Sequence, residues 1–389
     1  MSEFNRFDVI VVGAGPAGSA AALVAARAGL KVVLVERGEF PGSKNVSGAA
    51  MYGSAVLNDL IPNFWEEAPV ERYITRRVLS FMSQDSALSV DYKTTRFAEP
   101  PYNAFTVLRP KFDRWLAQKA VEAGAFLVNE TVVDSLIREP GGKVTGVRTR
   151  REDGELYAPV VVAADGVNSF LAKQAGLQRE FKAEEMSVGV KEVLQLDREL
   201  LESRFGLTGD EGMVNEYLGA ITGEVHGGAF LYTNRDSLSL GVIAQISSLA
   251  EQRQRAYDLL DLFKRHPSVA PLLRDTKTSE YSAHMIPEAG YKLVPKLFTD
   301  GMLVAGDAAG LCFATGIYLE GINYAIASGA AAGQTAAEAH AARDFSAAKL
   351  KSYQTKLEES FVLKDFKQYK HAPEFVNSAR LQNFYPAMI

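Results

Sequence analysis

Two runs of consecutive apolar residues, Val9-Ile10-Val11-Val12 and Val32-Val33-Leu34-Val35, bracket a glycine turn and an alanine-rich stretch near the start of the chain. Apolar runs without polar alternation belong to strands buried on both faces, so the pattern predicts two parallel strands joined by a crossover helix. The turn between them reads Gly13-Ala14-Gly15-Pro16-Ala17-Gly18. Each glycine has a mechanical reason: Gly13 permits a tight turn, Gly15 lets the backbone approach a pyrophosphate, and Gly18 lets the helix lie close to the strand. The helix is expected to open near Ala14 and to direct unpaired N–H groups at an anion, with Ala17 in contact with it. Glu36, followed by Arg37, ends the second run where a carboxylate can accept from a ribose hydroxyl. A glycine-rich turn without a ligand is the plainer alternative; strands on both sides and an acid at the end favour the nucleotide.

The unalternating pattern returns at Val160-Val161-Val162-Ala163-Ala164-Asp165-Gly166 and at Met302-Leu303-Val304-Ala305-Gly306-Asp307-Ala308-Ala309-Gly310. Between these returns the pattern changes. Alternation predicts antiparallel strands over 77–92, then over 187–194, 212–218, 228–232 and 238–246, with one charged helix over 249–265. Further strands are expected at 105–108, 126–128, 132–138, 144–149 and 156–162, with Gly141-Gly142 as a hairpin turn. Pro110 suits the first turn of a helix that Gly124 closes. A short helix is expected at 168–175, and a long one at 321–342 whose Gly329 and Gly333 permit close packing on the sheet. The loop 38–48 is too rich in turn formers for regular structure. The fold class is therefore α/β: a Rossmann-like parallel-sheet domain with an inserted antiparallel α+β substrate domain and a helical C-terminal region. The expected division is 1–76, 101–183 and 291–345 for the nucleotide domain, 77–100 and 184–290 for the substrate domain, and 346–389 for the helices.

The 389 residues suffice for about two domains. A net charge of −5 argues against a general nucleic-acid binder. The single cysteine, Cys312, excludes an intrachain disulfide and a self-contained cluster held by four thiolates; it is expected to be a buried small residue. No signal peptide and no apolar run of membrane-spanning length is read, so the expected location is cytoplasmic, compatible with peripheral membrane attachment. No metal ligand set and no catalytic side chain is assigned.

The three strand-end motifs together ask for more than a nicotinamide dehydrogenase needs. A protein holding FAD along its whole length needs contacts at both ends of the cofactor. Asp165-Gly166 and Gly306-Asp307 place carboxylates at strand ends, where ribitol hydroxyls can be bound. A small-residue turn opening a helix places N–H groups near the flavin pyrimidine, where negative charge develops on reduction.

These motifs resemble those of glutathione-reductase-like FAD proteins, in the branch with aromatic hydroxylases, geranylgeranyl reductases and electron-transfer-flavoprotein dehydrogenases. In that branch the arginine of Arg109-Pro110-Lys111-Phe112-Asp113 touches the cofactor; a solvated charge at a helix start is the alternative. Gly42-Ser43-Lys44-Asn45-Val46-Ser47-Gly48, His284-Met285-Ile286-Pro287-Glu288-Ala289-Gly290-Tyr291, the stretch from Gly306 to Gly316 and Pro373-Glu374-Phe375 are similar to FixC proteins, relatives of electron-transfer-flavoprotein:quinone oxidoreductase. The resemblance implies FAD contacts at Lys44, Asn45, Ser47, Gly48, Val132, Gly316 and Gly321 as well. It implies a quinone held by the backbone carbonyls of Gly227 and Gly228, with His226 beside them where the full-length quinone oxidoreductase has tyrosine. A β-bulge or hairpin glycine pair is the plainer reading of Gly227-Gly228. The implied partners are an electron transfer flavoprotein, a small ferredoxin-like iron–sulfur subunit and a membrane quinone, at the inner face of the cell membrane. A geranylgeranyl-reductase-like enzyme is the alternative, although that family's Tyr-x-Trp-x-Phe-Pro stretch is absent. A non-catalytic flavin relay subunit is another.

Overall fold

The computed structural model describes residues 5–45, 48–288, 290–314 and 318–376, with residues 378, 380, 384, 385 and 388. The apolar runs form a six-stranded sheet in the order Phe298–Thr299, Met302–Val304, Val160–Ala163, Val9–Val12, Val32–Val35, Phe126–Val128. Its strands pair in parallel except for the outermost Phe298–Thr299. Val9–Val12, Val32–Val35 and Val160–Ala163 are buried along their whole length, as strands covered on both faces must be.

The helix after the glycine turn, Pro16–Arg27, opens two residues later than the sequence suggests, with Gly15 as its N-cap residue. The long helix Ile322–Ala342 packs against it rather than on the sheet. A Cβ on Gly329 would stand 2.0 Å from the Ala17 carbonyl oxygen, and one on Gly333 2.5 Å from that of Ala21. The small residues thus bring two helix backbones together.

The alternating segments form one nine-stranded sheet. Its order is Lys277–Pro287, Met186–Gln195, Ser237–Gln245, Gly227–Thr233, Glu211–Gly219, Val70–Met82, Ala104–Val107, Ala49–Tyr52, with Ala87–Lys93 paired to Val70–Met82. One face packs on helices through Leu201, Phe205, Leu259, Leu260 and Phe263. The opposite face fronts the six-stranded domain and carries the site.

Several boundaries differ from the sequence reading. Strand Val70–Met82 crosses the expected border at 76/77. Ala49–Tyr52 and Ala104–Val107, inside stretches assigned to the nucleotide domain, are strands of the large sheet. Four-residue strands carry too little alternation to reveal which sheet they join. The expected strand 156–162 is two strands. Glu155–Tyr157 belongs to an antiparallel sheet with Val144–Thr149 and Val133–Arg138, and Val160–Ala163 to the parallel sheet; Pro159 falls between them. The charged helix is also split, into Ile246–Glu251 and Ala256–Arg265. Helix Arg198–Phe205, capped by Asp197 accepting from the Leu200 N–H at 3.1 Å, was not expected. Among the described residues no helix is long and apolar enough to cross a membrane.

Candidate functional site

A cavity of about 340 Å³ opens where the C-terminal ends of the parallel strands, at Val12, Val35, Ala164 and Ala305, meet the nine-stranded sheet at Gly189, Lys191 and His284. Ligands of open α/β sheets lie at this end of the strands. Gly13, Gly15, Ala17, Glu36, Arg37, Lys44, Asn45, Arg109, Val132, Asp165, Gly166, Asp307 and Gly321 all line it. The three strand-end motifs, far apart in sequence, therefore face one space.

Gly18, Gly48 and Gly306 do not line the cavity; each serves its wall. A Cβ on Gly18 would stand 1.8 Å from the Gly13 oxygen, which is the close helix–strand contact anticipated for it. A Cβ on Gly306 would meet the Ala17 Cβ at 2.8 Å, and the Gly306 N–H is taken by Ser328 Oγ at 3.0 Å. The Gly48 carbonyl accepts from Lys191 Nζ at 2.7 Å. Ser47 and Gly316 lie outside the described residues. His226, Gly227 and Gly228 are not part of this cavity.

The polar groups have definite tasks. Glu36 accepts from the Ala14 N–H at 2.9 Å and the Gly38 N–H at 2.7 Å. A carboxylate has about four lone-pair positions, so capacity for a ribose hydroxyl remains. Asp165 accepts from the Leu171 N–H at 3.0 Å through one oxygen, while its buried Oδ1 has no partner among the described residues. Burial raises the Asp165 carboxyl above its ordinary value, against the backbone N–H groups that lower it. Arg109 is no solvated helix-start charge. Its guanidinium pairs twice with the buried Asp113, Nε to Oδ1 and Nη2 to Oδ2 at 2.8 Å each, and Asn45 Nδ2 donates to Oδ2 at 2.6 Å.

Three features of the cavity decide what it can hold. A Cβ on Gly15 would meet nothing within 4 Å, so that position is open to a ligand. The orphaned Asp165 oxygen asks for a polar partner. The long helix opens beside the cavity at Gly321 with no side-chain cap, which presents its positive end. Together these suit an extended ligand that carries both phosphate and hydroxyl groups, as FAD does.

Two cavity residues escape sequence reasoning. Lys191 and His284 sit on neighbouring strands, with Gly189 opposite His284. Lys191 is held down to about 7 by burial, aided by Arg109 and opposed by Glu280. His284 is lowered by burial, against the attraction of Asp307, with Arg109, Lys191 and Arg37 adding to the depression. Only the family likeness pointed to the His284 stretch. A lysine on the polar face of an alternating strand reads as solvent-facing; here that face turns to the cavity.

Register places a second buried cluster on the same face of the large sheet. Val214 stands opposite Tyr232 and Arg77, and Glu216 opposite Phe230 and Leu79. Tyr52 Oη donates to Glu216 Oε1 at 3.3 Å, and the Arg77 guanidinium lies 5.0 Å from the Tyr52 ring centroid. Burial pushes the Glu216 carboxyl up to about 8, against Tyr52 and Arg77. Gly227 has a packing reason to be glycine, because its Cβ would stand 2.1 Å from the Ile243 oxygen.

A parallel sheet whose strand ends meet a glycine turn, a strand-end acid and a second acid–glycine turn defines a dinucleotide-dependent oxidoreductase. Residues 8–215 match the family described as FAD dependent oxidoreductase. "Protein FixC" of Azotobacter vinelandii is 45% identical over 387 residues, covering 99% of this chain and 88% of that one. FixC of Escherichia coli K12 is 43% identical over 389 residues, covering 100% and 89%. From the same organism, "Probable electron transfer flavoprotein-quinone oxidoreductase YdiS" is 42% identical over 385 residues, covering 99% and 89%. The chain belongs to the FixC family of FAD-dependent oxidoreductases.

Solved structures share the fold. A geranylgeranyl bacteriochlorophyll reductase-like protein of Thermoplasma acidophilum aligns with a TM-score of 0.76 at 24% identity, over 95% of this chain and 88% of that one. The myxobacterial chondrochloren halogenase aligns with 0.75 at 20% identity, over 96% and 84%.

Proposed function

We propose that this protein carries electrons from an electron transfer flavoprotein to a membrane quinone, with a small ferredoxin-like subunit as the intermediate carrier. The donor and acceptor follow the name of the relative from Escherichia coli. The separate cluster subunit follows the resemblance to FixC proteins, and the chain's single cysteine agrees with it. FAD, when held there, would supply redox chemistry able to accept electrons singly and give them up in pairs. The chain's own residues hold and orient it. The N–H groups at the glycine turn would face the pyrophosphate, Glu36 a ribose, Asp307 the ribitol, and the opening of the long helix at Gly321 the flavin pyrimidine. Arg37, Lys44, Asn45, Arg109, Val132, Asp165 and Gly166 complete the cavity wall.

The observation that carries the quinone reading is a row of apolar side chains across the large sheet. Phe81 pairs with Leu218 on one side and with Leu88 on the other, and a Cβ on Gly228 would lie 3.3 Å from the Leu218 side chain. Leu79 and Val90 form the next pair outward on the same face. The row ends on the edge strand Ala87–Lys93, where Leu88, Val90 and Tyr92 are 49%, 61% and 55% exposed. An isoprenoid quinone needs such a path from the bilayer to a head-group site at Gly227-Gly228, with His226 alongside. Nδ1 of His226 is buried without a partner among the described residues. The edge strand is then the membrane-facing surface of a peripheral protein.

The test is direct. The FAD-loaded protein, reduced by its electron transfer flavoprotein, is mixed anaerobically with a short-chain soluble quinone. Flavin reoxidation in step with quinol formation is expected; a flavin that stays reduced overturns the reading.

A further inference from the structure

Two arginines beside or beneath the site are matched within the chain. Arg72, fully buried, donates to the carbonyls of Asn234, Gly209, Glu211 and Arg235 and to the Glu202 carboxylate at 3.0 Å. Arg109 has Asp113. Lys191, partly buried at the cavity wall, has no such match. Its Nζ donates to the Gly48 carbonyl and lies 5.4 Å from the Phe230 ring centroid, and it forms no ion pair among the described residues. An ammonium taken out of water without an anion is costly, so such a group either stays neutral or awaits a negative partner.

The charges around it identify that partner. Arg109, from the helix across the cavity, repels a proton on Lys191, and His284, one strand away, would do so if protonated. Glu280, also on the neighbouring strand, attracts it weakly. Met186–Gln195 pairs on its other side with Ser237–Gln245, which presents Gly241 opposite Lys191. Asp307 acts on His284 and Arg109. The missing anion must therefore come from the cavity that Lys191 lines. FAD changes charge during its own work: a flavin that takes up two electrons and one proton gains one negative charge.

We propose that Lys191 is a redox-linked counter-charge, neutral beside the oxidised flavin and protonated beside the reduced one. Each reduction then takes up two electrons and two protons, one proton on the flavin and one on the Lys191 amine; reoxidation releases both. Electrons come from the physiological donor or from any chemical reductant. Burial, which holds the amine down to about 7, leaves it largely neutral at pH 8 before reduction. A negative charge within several ångströms raises an amine by about 1–3 pKa units, enough to protonate it there. By linkage, the same coupling stabilises the reduced cofactor over the oxidised one.

The experiment counts protons rather than turnover, so it is independent of donor and quinone. FAD-loaded wild-type protein, Lys191→Met and Lys191→Arg are reduced stepwise with dithionite at pH 8. A pH indicator in weakly buffered solution, corrected for the protons dithionite itself releases, gives protons bound per two electrons, and a reference dye gives the flavin potential. The wild type should bind one more proton per two electrons than either variant. In Lys191→Met the preference for reduced over oxidised FAD should fall about 10-fold or more. Lys191→Arg, permanently charged, should keep that preference while losing the extra proton. A side chain that only packs would alter FAD retention or melting and leave the proton count unchanged in both variants. Wild-type proton uptake in Lys191→Met, or in Lys191→Arg should only that variant fold, overturns the proposal.

Discussion

The two sheets that meet at the cavity are built on opposite rules. In the six-stranded sheet the central strands Val9–Val12, Val32–Val35 and Val160–Ala163 carry only apolar side chains and are buried throughout. Its contribution to the site comes from backbone and strand-end groups. The nine-stranded sheet turns Lys191, His284, Glu216 and Arg77 inward on one face. The first sheet is a mount whose geometry does the work. The second supplies charges, and each of them must be reconciled with burial. Mutations in the two should therefore fail in different currencies: backbone geometry in one, protonation in the other.

The largest expected effect lies in the mount. Gly18→Val forces side-chain atoms onto the Gly13 carbonyl, 1.8 Å from the nearest Cβ position, and overpacking of this kind costs about 3 kcal/mol or more. A large drop in melting temperature and loss of FAD are expected; a variant with unchanged melting would break the contrast. Gly15→Val, three residues earlier, should behave differently. Its Cβ meets nothing within 4 Å, so melting of the apoprotein should stay close to wild type. FAD affinity, read by fluorescence titration, should fall ~100-fold, about 2.7 kcal/mol.

On the other sheet, Leu88→Ser with Val90→Ser removes exposed apolar groups and should leave stability within about 0.5 kcal/mol. Partition onto liposomes, measured by flotation, should fall ~10-fold, because each side chain loses part of the ~1.5–3 kcal/mol available from burial. Unchanged flotation would detach the apolar row from the membrane. The smallest effect is the most specific. Glu216 titrates near 8 in the folded chain, far above its unfolded value, so the native state binds the extra proton between those limits. Stability should fall as pH rises through that window and level off above it. Glu216→Gln should melt like wild type at pH 4.5 and higher than wild type at pH 9, the sign opposite to that of the Lys191 amine. Parallel melting curves of the two proteins across pH would remove Glu216 from the account.

The same contrast explains what was legible in the sequence. A run such as Val9-Ile10-Val11-Val12 followed by Gly13-Ala14-Gly15 announces both its burial and its task, because a dinucleotide turn constrains backbone and glycine spacing locally. Thirteen of the anticipated cofactor residues face one cavity for that reason. Gly306 and Gly48 stand behind the cavity lining, because spacing shows that a small residue is needed, not whether a ligand or another piece of chain occupies the space. Lys191 was invisible for a different reason. In an alternating strand the polar positions normally face water, and only the second sheet's placement against the first turns that face inward. Ala49–Tyr52 and Ala104–Val107 were given to the wrong layer because short strands are assigned by their pairing partners, which lie far away in sequence.

Asp113 has a consequence for the order of events in assembly. A single buried carboxylate grips Arg109 from its own helix and Asn45 from the loop after Glu36. That loop segment is thereby fastened in the apoprotein, and its ordering entropy is spent before any nucleotide arrives. Capture should then resemble insertion into a rigid slot more than folding around a guest. In Asp113→Asn, amide hydrogen exchange at 42–45 should quicken in the apoprotein and slow again once the flavin is seated.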